Sequence, residues 1–156
     1  MDIARQYRDA LGRFPTGVAL VALMHEGRAL AMTVNSFSSV SLDPPLVLWS
    51  VDHRSGRYET FRDAQSFAIN VLAADQEHLS NACARNDDLV ASGAAWTIGR
   101  EGAPLVDACV ARFECVREAV HPAGDHDIII GRVKAFDTPR TAPALVFHRS
   151  AYEQAG

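Results

Sequence analysis

The chain has 156 residues, of which 48% are hydrophobic and 22% are charged. This balance is typical of a globular domain, so it excludes disordered, collagen-like and coiled-coil proteins. The formal net charge is −4, and no dense run of lysine or arginine occurs. Both facts argue against a nucleic-acid partner and against an anionic membrane surface. No internal repeat interrupts the chain, and we expect one domain over residues 1–156.

The three cysteines predict neither a disulfide framework nor a zinc site. Cys83, Cys109 and Cys115 are odd in number and follow no CxxC spacing. The first fourteen residues mix charged and apolar side chains, unlike a secretory signal, and no apolar run approaches the roughly 20 residues of a membrane span. The sequence therefore predicts a cytoplasmic protein with no membrane partner.

The first third of the chain predicts one helix and three buried strands. Apolar residues at helical spacing cover residues 3–14 and stop before Pro15. Two apolar runs, residues 18–24 and 28–34, lie three residues apart, which favours a buried hairpin. Residues 46–51 form another apolar run that is too short for a helix, so we expect a third strand there.

Two further helices and a long loop are expected in the middle of the chain. The first helix is predicted over residues 55–64, with Ser55 as its N-cap. The second is predicted over residues 75–84, with Asp75 as its cap. Residues 85–104 are polar and rich in glycine, so we interpret them as a loop.

Alternating polar and apolar residues predict the remaining strands. These lie at residues 66–72, 105–120, 129–135 and 144–148. A polar turn over residues 121–127 would join the two long strands into an antiparallel hairpin. About seven strands with three short helices predict a mainly β fold, an antiparallel barrel or sandwich.

Common nucleotide and hydrolase motifs are missing from the sequence. It contains no GxGxxG, GxxxxGK[ST], GxSxG or HExxH pattern. Rossmann domains, P-loop proteins, serine hydrolases and zincin metalloproteases therefore lose support. A nucleotide, if bound, would be held in another way.

Residues 31–41 carry the most informative polar pattern. This stretch leaves a predicted strand and presents six neutral polar side chains, Thr33, Asn35, Ser36, Ser38, Ser39 and Ser41. Their donors and acceptors suit a planar heteroaromatic ring with carbonyls and ring nitrogens. Composition alone favours the alternative of a serine-rich turn capped by its own side chains.

A second polar segment lies between a predicted strand and a predicted helix. It contains His53, Arg54, Ser55, Gly56 and Arg57. Free backbone N–H groups and guanidinium groups would converge there on an anion such as a phosphate. A solvated loop before a capped helix explains the same residues equally well.

His126 stands in the predicted hairpin turn between Asp125 and Asp127. Adjacent residues of a strand point to opposite faces, so these three side chains do not form a metal cluster. We predict no metal site. An isolated loop histidine is most often a polar surface residue, and the residues alone give it no further role.

Four segments in order resemble the short-chain flavin reductases, the reductase components of two-component flavin-dependent monooxygenases. They are FPTGV at 14–18, MTVNSFSSVSLDPPL at 32–46, FAINVL at 67–72 and GDH at 124–126. The resemblance runs from about Tyr7 to Tyr152. It implies an FMN-binding split β-barrel of antiparallel strands with a few short helices, and commonly a homodimer.

The resemblance also implies the residues of a flavin site. The ring would lie along residues 33–36 and the phosphate at residues 52–57, while His126 would act as the catalytic residue facing the nicotinamide of NADH or NADPH. The implied flavin-binding residues are Met32, Thr33, Val34, Asn35, Ser36, Ser38, Ser39, His53, Arg54, Ser55, Arg57, Asn70, Val71, Leu72 and Tyr152. The chain departs from many relatives after Arg85, where it has Asn-Asp-Asp-Leu in place of a Lys-Phe pair.

The activity implied is that of an NAD(P)H:flavin oxidoreductase that reduces FMN or FAD. It would supply reduced flavin by diffusion to a partner monooxygenase. Two alternatives share the fold: a flavin-binding protein without NADH turnover, and an oxidase or oxygenase with its own organic substrate. The GDH segment favours the reductase, because a storage protein needs no residue facing a nicotinamide. A chain of this length has no room for a separate nicotinamide domain, so both cofactors would share one surface.

Overall fold

The computed structural model describes residues 2–156, in which β-strands dominate. The helices are α1 (Ile3–Leu11), α2 (Tyr58–Asp63) and α3 (Glu77–Arg85), the last preceded by a 3-10 turn at Ala74–Gln76. The strands are β1 (Thr16–Gly17), β2 (Ala19–His25), β3 (Arg28–Val34), β4 (Ser38–Leu42), β5 (Pro45–Asp52), β6 (Ser66–Val71), β7 (Trp96–Ile98), β8 (Pro104–Val106), β9 (Ala111–Ala123), β10 (His126–Asp137), β11 (Leu145–His148) and β12 (Ala151–Gln154). The mainly β expectation is confirmed.

Seven antiparallel strands form the main sheet in the order β3-β2-β6-β9-β10-β5-β4. The two edge strands, β3 and β4, are joined by residues 35–37 alone. A connection this short cannot cross a flat seven-stranded sheet, so the sheet curls until its edges approach each other. The result is the split barrel that the resemblance implied. A small sheet, β1-β11-β12, and the β7-β8 hairpin flank it.

Strand β2 is buried on both faces, which explains its unbroken apolar sequence. Val21 faces the barrel interior, where it joins a cluster that contains Trp49 and Phe67. Leu20 faces the other side and joins a second cluster that contains Leu79 of α3. This packing fixes α3 against the β2-β3 hairpin. All three cysteines are free and buried in these two clusters.

Several short strands were missed by the sequence interpretation. Residues 38–42 form strand β4 and pair with β5, so the expectation of a self-capped serine-rich turn is wrong there. The predicted loop at 85–104 contains β7 and reaches the first residue of β8. Strands β1 and β12 were not predicted either. These strands are short. Only β1 pairs with a distant strand, β11, whereas β4, β7 and β12 each pair with a strand adjacent in the chain.

Both predicted helix caps are wrong. Helix α2 begins at Tyr58 rather than at the turn before it, and the Ser55 hydroxyl accepts a hydrogen bond from the Arg57 N–H at 3.4 Å within that turn. Asp75 lies in the 3-10 turn and forms an ion pair with Arg140 instead of capping α3. No helix within residues 2–156 is long and apolar enough to cross a membrane.

The turn of the hairpin that carries His126 is shorter than predicted, and the strand predicted over residues 105–120 is divided into β8 and β9. Strands β9 and β10 continue to the register pair Ala123 and His126, so only Gly124 and Asp125 form the turn. Gly124 has a φ of +66°, which two-residue hairpin turns require. His126 is therefore a strand residue held by backbone pairing to β5 as well as to β9.

Candidate functional site

A groove made of two adjoining cavities follows the outer edge of β3. The first cavity, of about 230 Å³, is lined by Val18, Thr33, Val34, Asn35, Ser80, Ala84, Phe147 and Tyr152. The second, of about 540 Å³, is lined by Ala31, Met32, Ser55, Gly56, Arg57, Cys83, Ala84, Arg85, Asn86 and Asp87. Ala84 belongs to both, so the cavities lie side by side along the strand. We call them together the edge groove.

The backbone of β3 is exposed to the edge groove at Thr33. The Ala31 N–H donates to the Asp87 carbonyl at 2.8 Å, and the Leu89 N–H donates to the Ala29 carbonyl at 3.1 Å. Residues 87–89 thus cover the edge of β3 as far as Ala31. Outward-facing peptide groups alternate along a strand, so those of Thr33 face the same edge. They offer a backbone donor and acceptor beside the first cavity.

A chain of hydroxyl groups holds the walls of the first cavity together. The Thr33 hydroxyl donates to the Ser80 carbonyl at 2.7 Å. The Ser80 and Tyr152 hydroxyls share a hydrogen bond of 2.7 Å, and the Tyr152 hydroxyl also donates to Asn81 Oδ1 at 3.2 Å. These bonds join β3, α3 and β12. Because the Thr33 hydroxyl donates its hydrogen to the Ser80 carbonyl, its oxygen can only accept a hydrogen bond from a ligand.

The second cavity collects the groups that bind anions. Arg57 and Arg85 bring two guanidinium groups to it, and Ser55 adds a hydroxyl. Arg57 Nε donates to Asp87 Oδ2 at 2.5 Å. Two arginines and one aspartate give the lining of this cavity a net positive charge, which suits a phosphate group.

His53 lies beside the groove rather than in its lining. Its Nε2 shares a 2.8 Å hydrogen bond with Asp127 Oδ1, and the Tyr58 hydroxyl donates to Asp127 Oδ2. The backbone N–H of His53 donates to the Asp125 carbonyl at 2.9 Å. Hydrogen bonds from Tyr58 and then His53 hold the pKa of Asp127 below its usual 3.8. This cluster attaches the loop at residues 53–57 to the start of β10.

His126 directly follows the turn at Gly124 and Asp125, and it lies opposite Asp52 of β5. Its Nδ1 shares a 2.7 Å hydrogen bond with Asp125 Oδ1, and the ring is partly exposed. Arg54 binds Asp52 through its guanidinium and then its backbone N–H, which lowers the pKa of Asp52 to about 2. Arg54 is thus committed to Asp52 and is not part of the groove lining.

The remaining residues singled out from the sequence lie outside both cavities. Ser36 accepts a hydrogen bond from the Ser50 N–H at 2.9 Å and ties the β3-β4 loop to β5. Ser38 and Ser39 are exposed on β4, at the other edge of the sheet. Neither serine lines the edge groove within one chain.

The segment at residues 70–72 is part of the core. Asn70 and Leu72 have no exposed surface, and Val71 is half-buried. Asn70 accepts from the Val106 N–H at 2.9 Å and donates to the carbonyls of Leu20 and Pro104. A ligand cannot touch the side chain of Asn70 or Leu72 in this arrangement.

Half of the groove lining gave no signal in the sequence. Ser80, Ala84, Arg85 and Asp87 come from α3 and the segment after it, and Phe147 comes from β11. They reach the groove because α3 packs on β2 and β3. In the sequence, this region was indicated only by the Asn-Asp-Asp-Leu segment after Arg85, which differs from the Lys-Phe pair of many relatives.

In this split barrel a cavity lined by hydroxyl groups adjoins one lined by arginines along the edge strand, an arrangement that suits a flat, phosphorylated ligand such as a flavin. The comparisons with known proteins agree. The chain belongs to the flavin reductase-like domain family, whose sequence profile matches residues 11–156.

Individual relatives carry the same designation. The chain is 51% identical over 134 residues to the FMN reductase (NADH) SmoA of Agrobacterium fabrum, covering 83% of this chain and 74% of that protein. It is 43% identical over 149 residues to the reductase component of the flavin-dependent trigonelline monooxygenase of Acinetobacter baylyi. That match covers 95% of this chain and spans 48% of the relative.

A solved structure shows the same fold with ligands. The Streptomyces globisporus NADH:FAD oxidoreductase SgcE6, in complex with NAD and FAD fragments, superposes with a TM-score of 0.91 at 33% identity. The match covers 99% of this chain and 93% of that one. The fold described here is therefore shared with a reductase of known ligands.

Proposed function

We propose that this chain is an NADH-dependent flavin reductase that passes reduced FMN or FAD to a partner monooxygenase. The observation that carries the proposal is the edge groove, in which a guanidinium-lined cavity adjoins a hydroxyl-lined one along β3. The relatives named as an NADH-dependent FMN reductase and as a monooxygenase reductase component support it.

The residues of the groove suit both ends of a flavin. The phosphate would lie in the second cavity, against Arg57, Arg85 and Ser55. The ring would lie in the first cavity, where Thr33 presents its hydroxyl oxygen and its peptide groups. Cavities of a few hundred cubic ångströms with few polar groups are typical of cofactor sites. A bound flavin supplies an acceptor for a hydride from the nicotinamide.

The chain itself would contribute positioning rather than proton transfer. The hydroxyl chain from Thr33 through Ser80 to Tyr152 holds the first cavity in one shape, so the ring would meet a preformed surface. The Thr33 N–H would stabilise negative charge that develops on a reduced ring. His126, fixed by its strand and by Asp125, would orient the nicotinamide. NADPH is the alternative hydride donor within this proposal.

A second copy of the chain is the proposed partner for α1. Its apolar residues Ile3, Tyr7 and Leu11, with Phe14 just beyond, are exposed in the single chain. Four apolar side chains at helical spacing form a face that another copy would cover, in a homodimer. We further propose that the chain acts as a single domain in the cytoplasm.

Filling the groove at Ala84 tests the flavin site directly. Ala84 is exposed on α3 and lines both cavities, so Ala84→Trp would fill the groove without disturbing the core. We expect this variant to lose FMN binding in a fluorescence titration and FMN-dependent NADH oxidation. His78→Trp, at another exposed position of α3, is the matched control and should behave as wild type. Unchanged FMN binding by Ala84→Trp would contradict the location of the site.

A further inference from the structure

We propose that Asp87 is a positioning residue that holds Arg57 ready for the flavin phosphate and so favours phosphorylated flavins over riboflavin. This inference rests on the proposed function, because it assumes that the second cavity receives the phosphate. The residue comes from the segment after α3, in which the chain differs from many flavin reductases.

Backbone hydrogen bonds hold Asp87 at the edge of β3. Its carbonyl accepts the Ala31 N–H at 2.8 Å, and the next residue, Asp88, forms a β-bridge to Leu30. Leu89 then donates to Ala29, so three successive residues are attached to the edge of β3. The Asp87 side chain is only 22% exposed. The short aspartate side chain on this held backbone has fewer rotatable bonds than arginine, so it restricts where the Arg57 guanidinium lies.

The contact between the two side chains leaves most of the guanidinium free. Asp87 Oδ2 binds Arg57 at Nε, at 2.5 Å, and not at the two terminal nitrogens. The edge formed by Nη1 and Nη2 remains available to bind two phosphate oxygens side by side. An arginine fixed through Nε loses less conformational entropy when the phosphate arrives. Asp87 would thereby improve phosphate binding although it carries a negative charge.

The opposite effect is the competing physical expectation. A carboxylate at the wall of a phosphate site repels the ligand, and by holding Arg57 it also competes with it. Arg85 lines the same cavity, so the net charge of the lining stays positive. The two effects therefore differ in sign: removing the charge of Asp87 weakens FMN binding if positioning dominates and strengthens it if repulsion dominates.

The test compares FMN with riboflavin, which has the same ring and no phosphate. Dissociation constants of both would be measured by flavin fluorescence for the wild type and for Asp87→Asn. We expect Asp87→Asn to bind FMN about fivefold more weakly, the size of a single partly exposed ion pair. Riboflavin affinity should stay at the wild-type value, because riboflavin has no phosphate for Arg57 to bind.

Asp88→Asn is the matched control, with the same loss of charge one residue away. The Asp88 carboxylate accepts from the Val90 N–H at 3.0 Å, a bond that the asparagine oxygen retains, and it lies outside the groove lining. We expect unchanged affinities for both flavins. In an Arg57→Gln background, Asp87→Asn should have no further effect on FMN, since the positioned group is gone.

Several results would overturn the inference. These are unchanged or tighter FMN binding by Asp87→Asn, an equal loss of riboflavin affinity, or the same loss of FMN affinity in the Arg57→Gln background. If the wild type binds FMN and oxidises NADH while the variants give any of these results, only the inference about Asp87 fails and the proposed function stands. A wild-type protein that binds neither flavin overturns both proposals.

Discussion

Asp127 and His53 are joined by a 2.8 Å hydrogen bond between Oδ1 and Nε2, although 74 residues separate them in the chain. The carboxylate is only 6% exposed, and its other oxygen accepts from Tyr58. The pair connects the loop that carries Ser55 and Arg57 to the strand that carries His126. It therefore links the proposed phosphate end of the site to the proposed nicotinamide end.

The acid stability of the protein should depend on Asp127. The hydrogen bonds from Tyr58 and His53 lower its pKa below 3.8 in the folded state. A carboxyl with a lowered folded pKa contributes stability above its unfolded pKa and loses that contribution as the pH falls through the folded value. We expect the free energy of unfolding to fall less steeply below about pH 4 for Asp127→Asn than for the wild type.

Urea unfolding at pH values from 7 to 3 measures this dependence. Asp9→Asn removes an exposed carboxylate of α1 and should keep the wild-type pH slope. Identical slopes for the wild type and Asp127→Asn would show that the His53–Asp127 contact does not contribute in this way.

Asn70 is expected to matter for folding and not for flavin binding. Replacing it by alanine would leave the buried Val106 N–H without its 2.9 Å partner. An unpaired buried N–H costs about 1–3 kcal/mol, so we expect Asn70→Ala to lower the free energy of unfolding by that amount. FMN affinity of the folded variant should equal that of the wild type. A stable variant with impaired FMN binding would instead place Asn70 on the flavin, as the family resemblance implied.

His126 is expected to affect the nicotinamide and not the flavin. We predict that His126→Ala raises the KM for NADH about fivefold, the effect of losing one hydrogen bond, and leaves the FMN dissociation constant unchanged. His121→Ala, an exposed histidine of the same hairpin, is the control and should change neither value. An unchanged KM for NADH in His126→Ala would exclude the proposed role. Steady-state NADH oxidation and an FMN titration give both quantities.

The thiols should be inert in the folded protein. Burial raises the pKa of Cys83 to about 11 and those of Cys109 and Cys115 to about 12. Because only the thiolate reacts, we expect Ellman's reagent at neutral pH to detect no thiol in the native protein. Three thiols should appear after unfolding in guanidinium chloride. Rapid reaction of the native protein would contradict the burial described here, above all at Cys83, which lines the second cavity.

The sequence was informative where one local pattern determines the structure. The apolar runs of β2 and β3 predict a buried hairpin, since both faces of β2 are covered. Ser38 to Leu42 were misread because serine content suggests a turn, whereas pairing with β5 supplies the hydrogen bonds of a strand. Strand β5 begins only three residues after β4, so the missed signal is local: Val40 and Leu42 alternate with serines, a strand pattern that the serine content obscured.

The candidate site was predictable only in part. The family resemblance pointed to Thr33 and Arg57, which line the edge groove, and also to Asn70, which is buried in the core. A motif identifies residues without showing which of their side chains face a ligand. Ser80 and Asp87 come to the groove through the packing of α3, and spacing along the chain does not reveal that packing.

The central claim is that this chain transfers hydride from NADH to a flavin bound along β3. Its most direct test is to mix the protein, NADH and FMN without oxygen and to follow the loss of the NADH absorbance band. We predict a rate well above that of NADH and FMN alone, saturating with FMN, and lost in Ala84→Trp. A rate equal to the protein-free mixture, with FMN bound, would contradict the claim and indicate a flavin-binding protein without turnover.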